Sequence, residues 1–300
     1  MSELNGIINE FKYGAMFPKH FRLSCFADEI DPMLSKQMDV LDKTYIRHIE
    51  IRGVDGKNIS EITPSEAKKI KKCLDDRGYK ISAIGSPIGK ININDNFAPH
   101  LELFKNVLDI SEKLDAPLIR IFSFYTKNPD TDKNKVFDRL SELVKIAEDY
   151  DCVLIHENEI GIYGDTPQRN LEIAKMFPPK KKFGHAFGFV FDFANYVING
   201  CDVMEAYNLL EDHVIYFHIK DAIYGENRVV PAGMGEGKIA EILARAKNKN
   251  CFLSLEPHLG YFEGLEAFEH TLDIKEMEKG GPHLFMIAYN ALLKILKGEV

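Results

Sequence analysis

Eight times along this chain a short, continuously apolar run gives way to a longer stretch whose apolar residues recur every three or four positions. The short runs are FRLSCFAD, HIEIRG, KISAIGSP, LIRIFSFY, VLIHENE, FGFVFDFAN, VIYFHIKD and CFLSLEPHL. A strand that is apolar on both faces is buried on both faces, as strands of a parallel sheet are. The amphipathic stretches between them supply the crossover helices that a parallel sheet needs. The order therefore predicts an α/β fold. Eight such units in 300 residues favour a single closed (β/α)8 TIM barrel over an open doubly wound sheet.

Helix-start and helix-stop signals agree with this division. Asp31 and Pro32 open DPMLSKQMDVLDKT as N-cap and first helical residue. Thr63 and Pro64 open TPSEAKKIKKCLDDRG, with Glu66 at the capping-box position and Gly78 as the stop. The remaining helices read as APHLELFKNVLDISEKLD, KVFDRLSELVKIAEDYD, TPQRNLEIAKMF, DVMEAYNLLED, KIAEILARAKNK and HLFMIAYNALLKILKG. No linker or low-complexity segment interrupts them. We expect one domain over residues 1–300, with the barrel at about 20–298 and an extension at 1–19 that packs outside it or covers an end. YFEGLEAFEHTLDIKEMEKGGPH is a long excursion after the eighth strand, suited to a lid or a dimer contact. HLFMIAYNALLKIL is apolar enough either to serve a homo-oligomer or to close the barrel.

Composition narrows the function. A formal net charge of -8 opposes a protein that tracks phosphates, so we expect no nucleic-acid partner. No apolar run approaches the roughly 18 residues of a membrane span, and no basic and then apolar leader opens the chain. A cytoplasmic location is the expectation. The five cysteines form no CxxC pair and read as reduced, mostly buried thiols.

In a barrel of this kind the site lies at the C-terminal ends of the strands. Strands five to eight each end with a hard ligand: Glu157, Asp192, His218 and Glu256. Their spacing is about one βα unit each, so the four side chains arrive on neighbouring strands at one level. Three carboxylates and an imidazole suit a divalent ion with positions left for water or substrate, Mn²⁺ foremost, then Mg²⁺, Co²⁺ or Zn²⁺. A cysteine-free set is not a structural zinc site.

The segments HENE, FDFAN, HIKD and LSLEPH, with GMGEGKI between the last two, resemble the xylose isomerase-like barrel superfamily. Within it the chain is most similar to the sugar phosphate isomerase/epimerase group, which includes the ketose 3-epimerases. The resemblance implies Glu157, Asp192, His218 and Glu256 as metal ligands and Glu157 and Glu256 as the proton-transfer pair. It implies an isomerase or epimerase of a small carbohydrate, working through an enediolate: one carboxylate removes a proton next to a carbonyl and the other returns one. The chain departs from the ketose 3-epimerases in carrying Asn195 where they have a histidine and Tyr224 where they have an arginine. A lyase is the alternative on the same ligands, a keto-inositol dehydratase or an enzyme cleaving 3-keto C-glycosides. The apurinic endonucleases of the superfamily assemble three zinc ions from many more ligands, whereas strands two to four here offer only Glu50.

Side chains alternate along a strand, so His258 and Lys220 share the faces of Glu256 and His218 and are candidate substrate contacts, as is Asn195. His156 alternates away from Glu157 and is kept as a fourth candidate. Glu50 and Arg52 fit a mutual structural pair as well as a site role. GMGEGK, Gly233 to Lys238, fails as a Walker loop because Ala232 and Ile239 occupy required positions. It reads as a tight turn opening a helix at Lys238, with amides that could face an anionic substrate.

Overall fold

The computed structural model describes residues 20–178, 187–260 and 280–299. Eight strands appear where the apolar runs place them: β1 (Phe21–Cys25), β2 (His48–Ile51), β3 (Lys80–Ile84), β4 (Leu118–Ile121), β5 (Val153–Glu157), β6 (Phe187–Asp192), β7 (Val214–Ile219) and β8 (Cys251–Leu255). Each pairs in parallel with its sequence neighbour from β2 to β8, and β8 pairs in parallel with β1. β1 and β2 lie in contact without ladder pairing and complete a nearly closed barrel.

Helices α1 (Leu34–Leu41), α2 (Pro64–Asp76), α3 (Ala98–Leu114), α4 (Pro129–Ala147), α5 (Pro167–Met176), α6 (Phe193–Ile198), α7 (Val203–Leu210), α8 (Ile239–Ala246) and α9 (Pro282–Lys297) follow the strands in turn, with α6 and α7 both between β6 and β7. In α2 the capping box forms in full. The Thr63 hydroxyl accepts from the Glu66 amide, and the Glu66 carboxylate accepts from the Thr63 amide at 2.7 Å. Helix α9 buries Leu284, Phe285, Ile287, Tyr289 and Leu292, and the Tyr289 hydroxyl accepts from the Tyr45 amide at 2.9 Å. It thus packs on the barrel, the second of the two roles its apolar sequence allowed.

Three boundaries differ from expectation. Asp31 does not cap α1; its carboxylate accepts from the Met33 amide at 2.8 Å, one turn early. Asp55, in the hairpin that pairs Gly53–Val54 with Lys57–Asn58, accepts instead from the Leu34 amide at 3.0 Å. Helix α4 begins at Pro129, six residues before Lys135, because a proline at the first position needs no donor there. FGFVFDFAN is not strand throughout: β6 stops at Asp192, which caps α6 by accepting from the Asn195 amide at 2.8 Å.

Inside the barrel Ala83, Ile155, Val190, Tyr216 and Phe252 form a buried floor. The Tyr216 hydroxyl is satisfied there by Ser82 at 2.9 Å, and Ser82 by Ser24 at 2.6 Å. The larger apolar layer lies between the sheet and the helices. Residues 1–19 and 261–279, which hold the proposed extension and most of the excursion after β8, lie outside the described residues. The two ends of that excursion sit together. The Gly280 amide donates to the Leu259 carbonyl at 3.0 Å, and the Gly281 amide to the Glu29 carbonyl at 2.7 Å. Among the described residues no helix is long and apolar enough to cross a membrane.

Candidate metal centre

Alternation along each strand builds the centre directly on the apolar floor. Two residues beyond Ile155, Val190 and Tyr216 come Glu157, Asp192 and His218, pointing the same way; Glu256 follows Phe252 by four, just past β8. All four are buried, and one ligand atom from each lies within 4.8 Å of the others. His218 organises them. Its Nδ1 lies 3.0 Å from Glu157 Oε1, 3.4 Å from Glu256 Oε2 and 3.8 Å from Asp192 Oδ2. Its Nε2 lies 3.0 and 3.2 Å from the two oxygens of Glu50. Donors held at about 2.1 Å from a common centre lie roughly 3.0–4.2 Å apart, so these separations fit one shared divalent ion. Glu50 completes the arrangement: a carboxylate on the far ring nitrogen fixes the tautomer that leaves Nδ1 as the ligand. Glu50 and Arg52 are therefore not the mutual pair that their spacing allowed.

Three cations stand among these carboxylates. Lys220 is buried, with Nζ 2.9 Å from Asp192 Oδ2 and 3.1 Å from Glu256 Oε2. Arg120 Nη1 lies 3.1 Å from Glu157 Oε2. Arg52 Nη1 lies 3.2 Å from Glu256 Oε1, while its Nε donates to Asp28 at 2.8 Å and its Nη2 to Glu29 at 3.2 Å. The titration of the group follows from who is paired. Burial opposes the charge of Glu157, but His218 and Arg120 prevail and bring it down to about 2. Burial likewise opposes Glu256, and Lys220, His258, His218 and Arg52 hold it well below the usual range. Burial also works against a charged His218, yet Glu50 and Glu157 raise it well above its ordinary value. Asp192 is left over: burial, with Glu256 and Glu157 adding to it, pushes it up to about 7 against the pull of Lys220. Its Oδ2 is close to Lys220 but lacks the alignment of a hydrogen bond. Glu157 Oε2 likewise has an ion-pair neighbour but no aligned donor, and a buried acid cluster with two oxygens still unsatisfied suits a set of ligands for a cation.

Of the other sequence candidates, three reach this mouth and one does not. Lys220 is in the cluster itself. Asn195 donates from Nδ2 to the Asn158 carbonyl at 2.8 Å and reaches Glu157 Oε1 at 3.4 Å. His258 brings Nε2 to 3.2 Å from Glu29 and 3.5 Å from Glu256. His156 turns to the opposite face of β5, where its ring packs edge-on against Phe189 and neither nitrogen has a hydrogen-bond partner. It therefore does not join the mouth, as the period of two requires.

The glycine loop also differs from expectation. The amides of Gly233, Gly235 and Gly237 donate to the Asp221 carboxylate at 2.9, 3.1 and 2.8 Å, and that of Ala222 does so at 2.9 Å. The anion in this nest belongs to the chain, so these amides are not available to a substrate. Gly235 is required by proximity, since a Cβ there would lie 2.3 Å from the Ala222 carbonyl oxygen.

Arg120, Phe26 and Glu29 escaped the sequence reading. Arg120 stands inside the apolar run LIRIF, and a charge in mid-strand is itself the signal. Glu29 lies in a short 3-10 turn after β1; burial, with Glu256 and Asp28 adding to it, brings its carboxyl to about 7 against Arg52 and the His258 amide.

A parallel barrel that carries a histidine and carboxylates at its C-terminal mouth, in a geometry able to share one divalent ion, defines the class. The family follows from the sequence: this chain belongs to the xylose isomerase-like TIM barrel family, whose model matches residues 45–277. Among solved structures it is similar to an IOLI protein carrying a zinc atom (TM-score 0.68, 16% identity, covering 93% of this chain and 99% of that one). It is also similar to D-psicose 3-epimerase from Clostridium cellulolyticum H10 (TM-score 0.65, 15% identity, 92% and 99% covered). A third is the probable 3-DHS dehydratase involved in petrobactin synthesis from Bacillus anthracis (TM-score 0.66, 14% identity, 90% and 98% covered). At such identities the likeness is one of fold. No curated protein sequence matches the chain.

Proposed function

We propose that this protein is a divalent-metal-dependent isomerase or epimerase of a small carbohydrate, with Glu157 and Glu256 exchanging the proton. The observation that carries the reading is the convergence of Glu157, Asp192, His218 and Glu256 around a single point at the barrel mouth. Those four residues would hold the ion, Mn²⁺ by preference, with Glu50 orienting His218. A bound divalent ion supplies Lewis acidity toward a sugar carbonyl and its neighbouring hydroxyl, which acidifies the C–H between them.

The rest is done by the chain. Glu157 and Glu256 come from β5 and β8 and lie on opposite sides of β6 and β7, so they can serve the two faces of one sugar carbon. One carboxylate takes the proton and the other delivers one to the opposite face, which inverts the centre; return to the neighbouring carbon moves the carbonyl instead. Lys220 Nζ is placed to steady charge that develops on an oxygen. The apolar floor below and the burial of all four ligands exclude water from the base.

Asn195 and Tyr224 favour a substrate other than a free ketose epimerised at C3. Asn195 is spent on Asn158 and Glu157, and Tyr224 is 62% exposed beside Gly200 rather than in the cluster. These positions support, as a second reading, a lyase that begins with the same proton abstraction.

The test is proton NMR of metal-loaded protein in D₂O with ketoses, keto-inositols and 3-keto glycosides. Deuterium gained beside a carbonyl, with the skeleton and its oxygens intact, is the expected result. Loss of water or of an aglycone selects the lyase, and absence of exchange from metal-loaded protein refutes both. Glu157→Gln and Glu256→Gln should each lower turnover by roughly 10²-fold or more, and His218→Ala should weaken Mn²⁺ binding, read by equilibrium dialysis.

A further inference from the structure

Each of the two glutamates turns one oxygen into the cluster and the other toward an arginine. Glu157 Oε1 meets His218 at 3.0 Å, and its Oε2 forms an ion pair with Arg120 Nη1 at 3.1 Å that lacks hydrogen-bond alignment. Glu256 Oε2 accepts from Lys220 at 3.1 Å and lies 3.4 Å from His218, and its Oε1 accepts from Arg52 at 3.2 Å. The two arginines come from different strands, β4 and β2, yet both guanidinium groups lie over one ring. Their central carbons are 4.4 Å (Arg52) and 5.1 Å (Arg120) from the centroid of Phe26, and Arg120 also lies 4.9 Å from the centroid of Phe122. The same ring meets His218 edge-on at 5.1 Å. Phe26 is wholly buried, and its position depends on Gly85, where a Cβ would stand 2.8 Å from its Cε1 and 3.1 Å from the Arg52 Cβ. Arg120 is tied to the same spot by donation from Nη2 to the Gly85 carbonyl at 3.3 Å.

We propose that Arg52 and Arg120, seated together on Phe26, are positioning residues that restrict Glu157 and Glu256 to one metal-facing oxygen each. The inference rests on the metal reading of the cluster. A carboxylate beside a divalent cation readily closes onto it with both oxygens, and both are then drawn toward the ion and made less basic; an oxygen held off the ion by an arginine keeps its other lone pair for a proton. An arginine on the second oxygen opposes that closure. The planar fork is suited to this: it can stack on an aromatic face and donate in its own plane at once, which a lysine ammonium cannot. One ring serving both arginines sets the two carboxylates alike, as a reaction that uses them in turn on opposite faces requires.

The experiment uses Co²⁺-substituted full-length protein, because visible absorption by Co²⁺ reports coordination number and geometry without any substrate. Phe26→Leu and Arg120→Lys are compared with wild type for absorption, Co²⁺ affinity and turnover. The expected result for both is weaker d–d bands, as one-oxygen ligation gives way to two, with Co²⁺ affinity retained or tighter. Turnover should fall roughly 10–100-fold, with KM changed by no more than about threefold. Loss of metal affinity together with turnover would mean ordinary disorder of the site and overturn the proposal. Wild-type bands and turnover in Arg120→Lys overturn the clamp; the same in Phe26→Leu overturn the shared platform. If Phe26→Leu fails to fold, Arg52→Lys replaces it in the series. Wild-type protein that takes up no Co²⁺ would sink the metal reading itself, an outcome distinct from any of these.

Discussion

Asp192 shows how much one side chain can be asked to do. One oxygen caps α6 and the other faces the cluster, so the site is tied to the start of a helix that the aromatic run FGFVFDFAN concealed. Residues at strand ends were legible because parity fixes their direction: Glu157, Asp192 and His218 each follow an inward apolar residue by two. Arg120 was hidden because it sits inside a run rather than at its end. Parity also placed His156 behind β5, and this has a measurable consequence. Burial holds its imidazole down to about 3, against about 6.5 in an unfolded chain. A histidine depressed in the fold contributes fully above about pH 6.5, and its contribution is lost as pH falls toward 3. Between pH 7 and pH 5 His156 alone should lower stability by about 2 kcal/mol. Urea unfolding of wild type and His156→Leu at the two pH values should show that difference shrink by this amount in the variant.

At the scale of elements, the loop from Gly233 to Lys238 is held by an anion of its own chain. Asp221 sits one residue past Lys220, so the nest fixes the exit of β7 where His218 and Lys220 must stand still. Burial pushes the Asp221 carboxyl up while the four amides restrain it. Asp221→Ala would leave four amides without their acceptor, those of Ala222 and Gly237 buried, and should cost about 3 kcal/mol. Asp221→Asn, which keeps one oxygen, should cost less. Chemical denaturation of both variants checks the order. The glycine spacing was plain in the sequence, but its occupant was not, because an internal carboxylate and an external phosphate demand the same backbone. Glu50 and Arg52 illustrate the same limit. Two residues on one face of a strand share a direction, yet their partners come from across the barrel and from the turn after β1.

For the whole molecule, the mouth is an assembly of opposed charges that the barrel closes around. Lys220, Arg52 and Arg120 compensate much of the acid within the chain itself, so the fold should not need metal as a zinc finger does. An ion should add to a stable barrel. At a free concentration 100-fold above Kd the gain is about 2.7 kcal/mol, which for a chain of this size corresponds to roughly 4 °C in Tm. Thermal unfolding with Mn²⁺ and with EDTA should show that shift while the EDTA-treated protein remains folded. The eight-fold alternation made the barrel legible from the sequence, since eight two-faced strands, each followed by a helix, favour closure over an open doubly wound sheet. The direction of the mouth followed from it.

The paired ends of the excursion after β8 carry a last consequence. Leu259 and Gly280 are hydrogen-bonded neighbours, so the chain between them begins and ends at one point beside Glu256 and His258. Closing a loop whose ends are already joined depends only weakly on its length. The length of the chain between them can therefore change at little cost to the pairing of Leu259 with Gly280, and so to the exit of β8 and its glutamate.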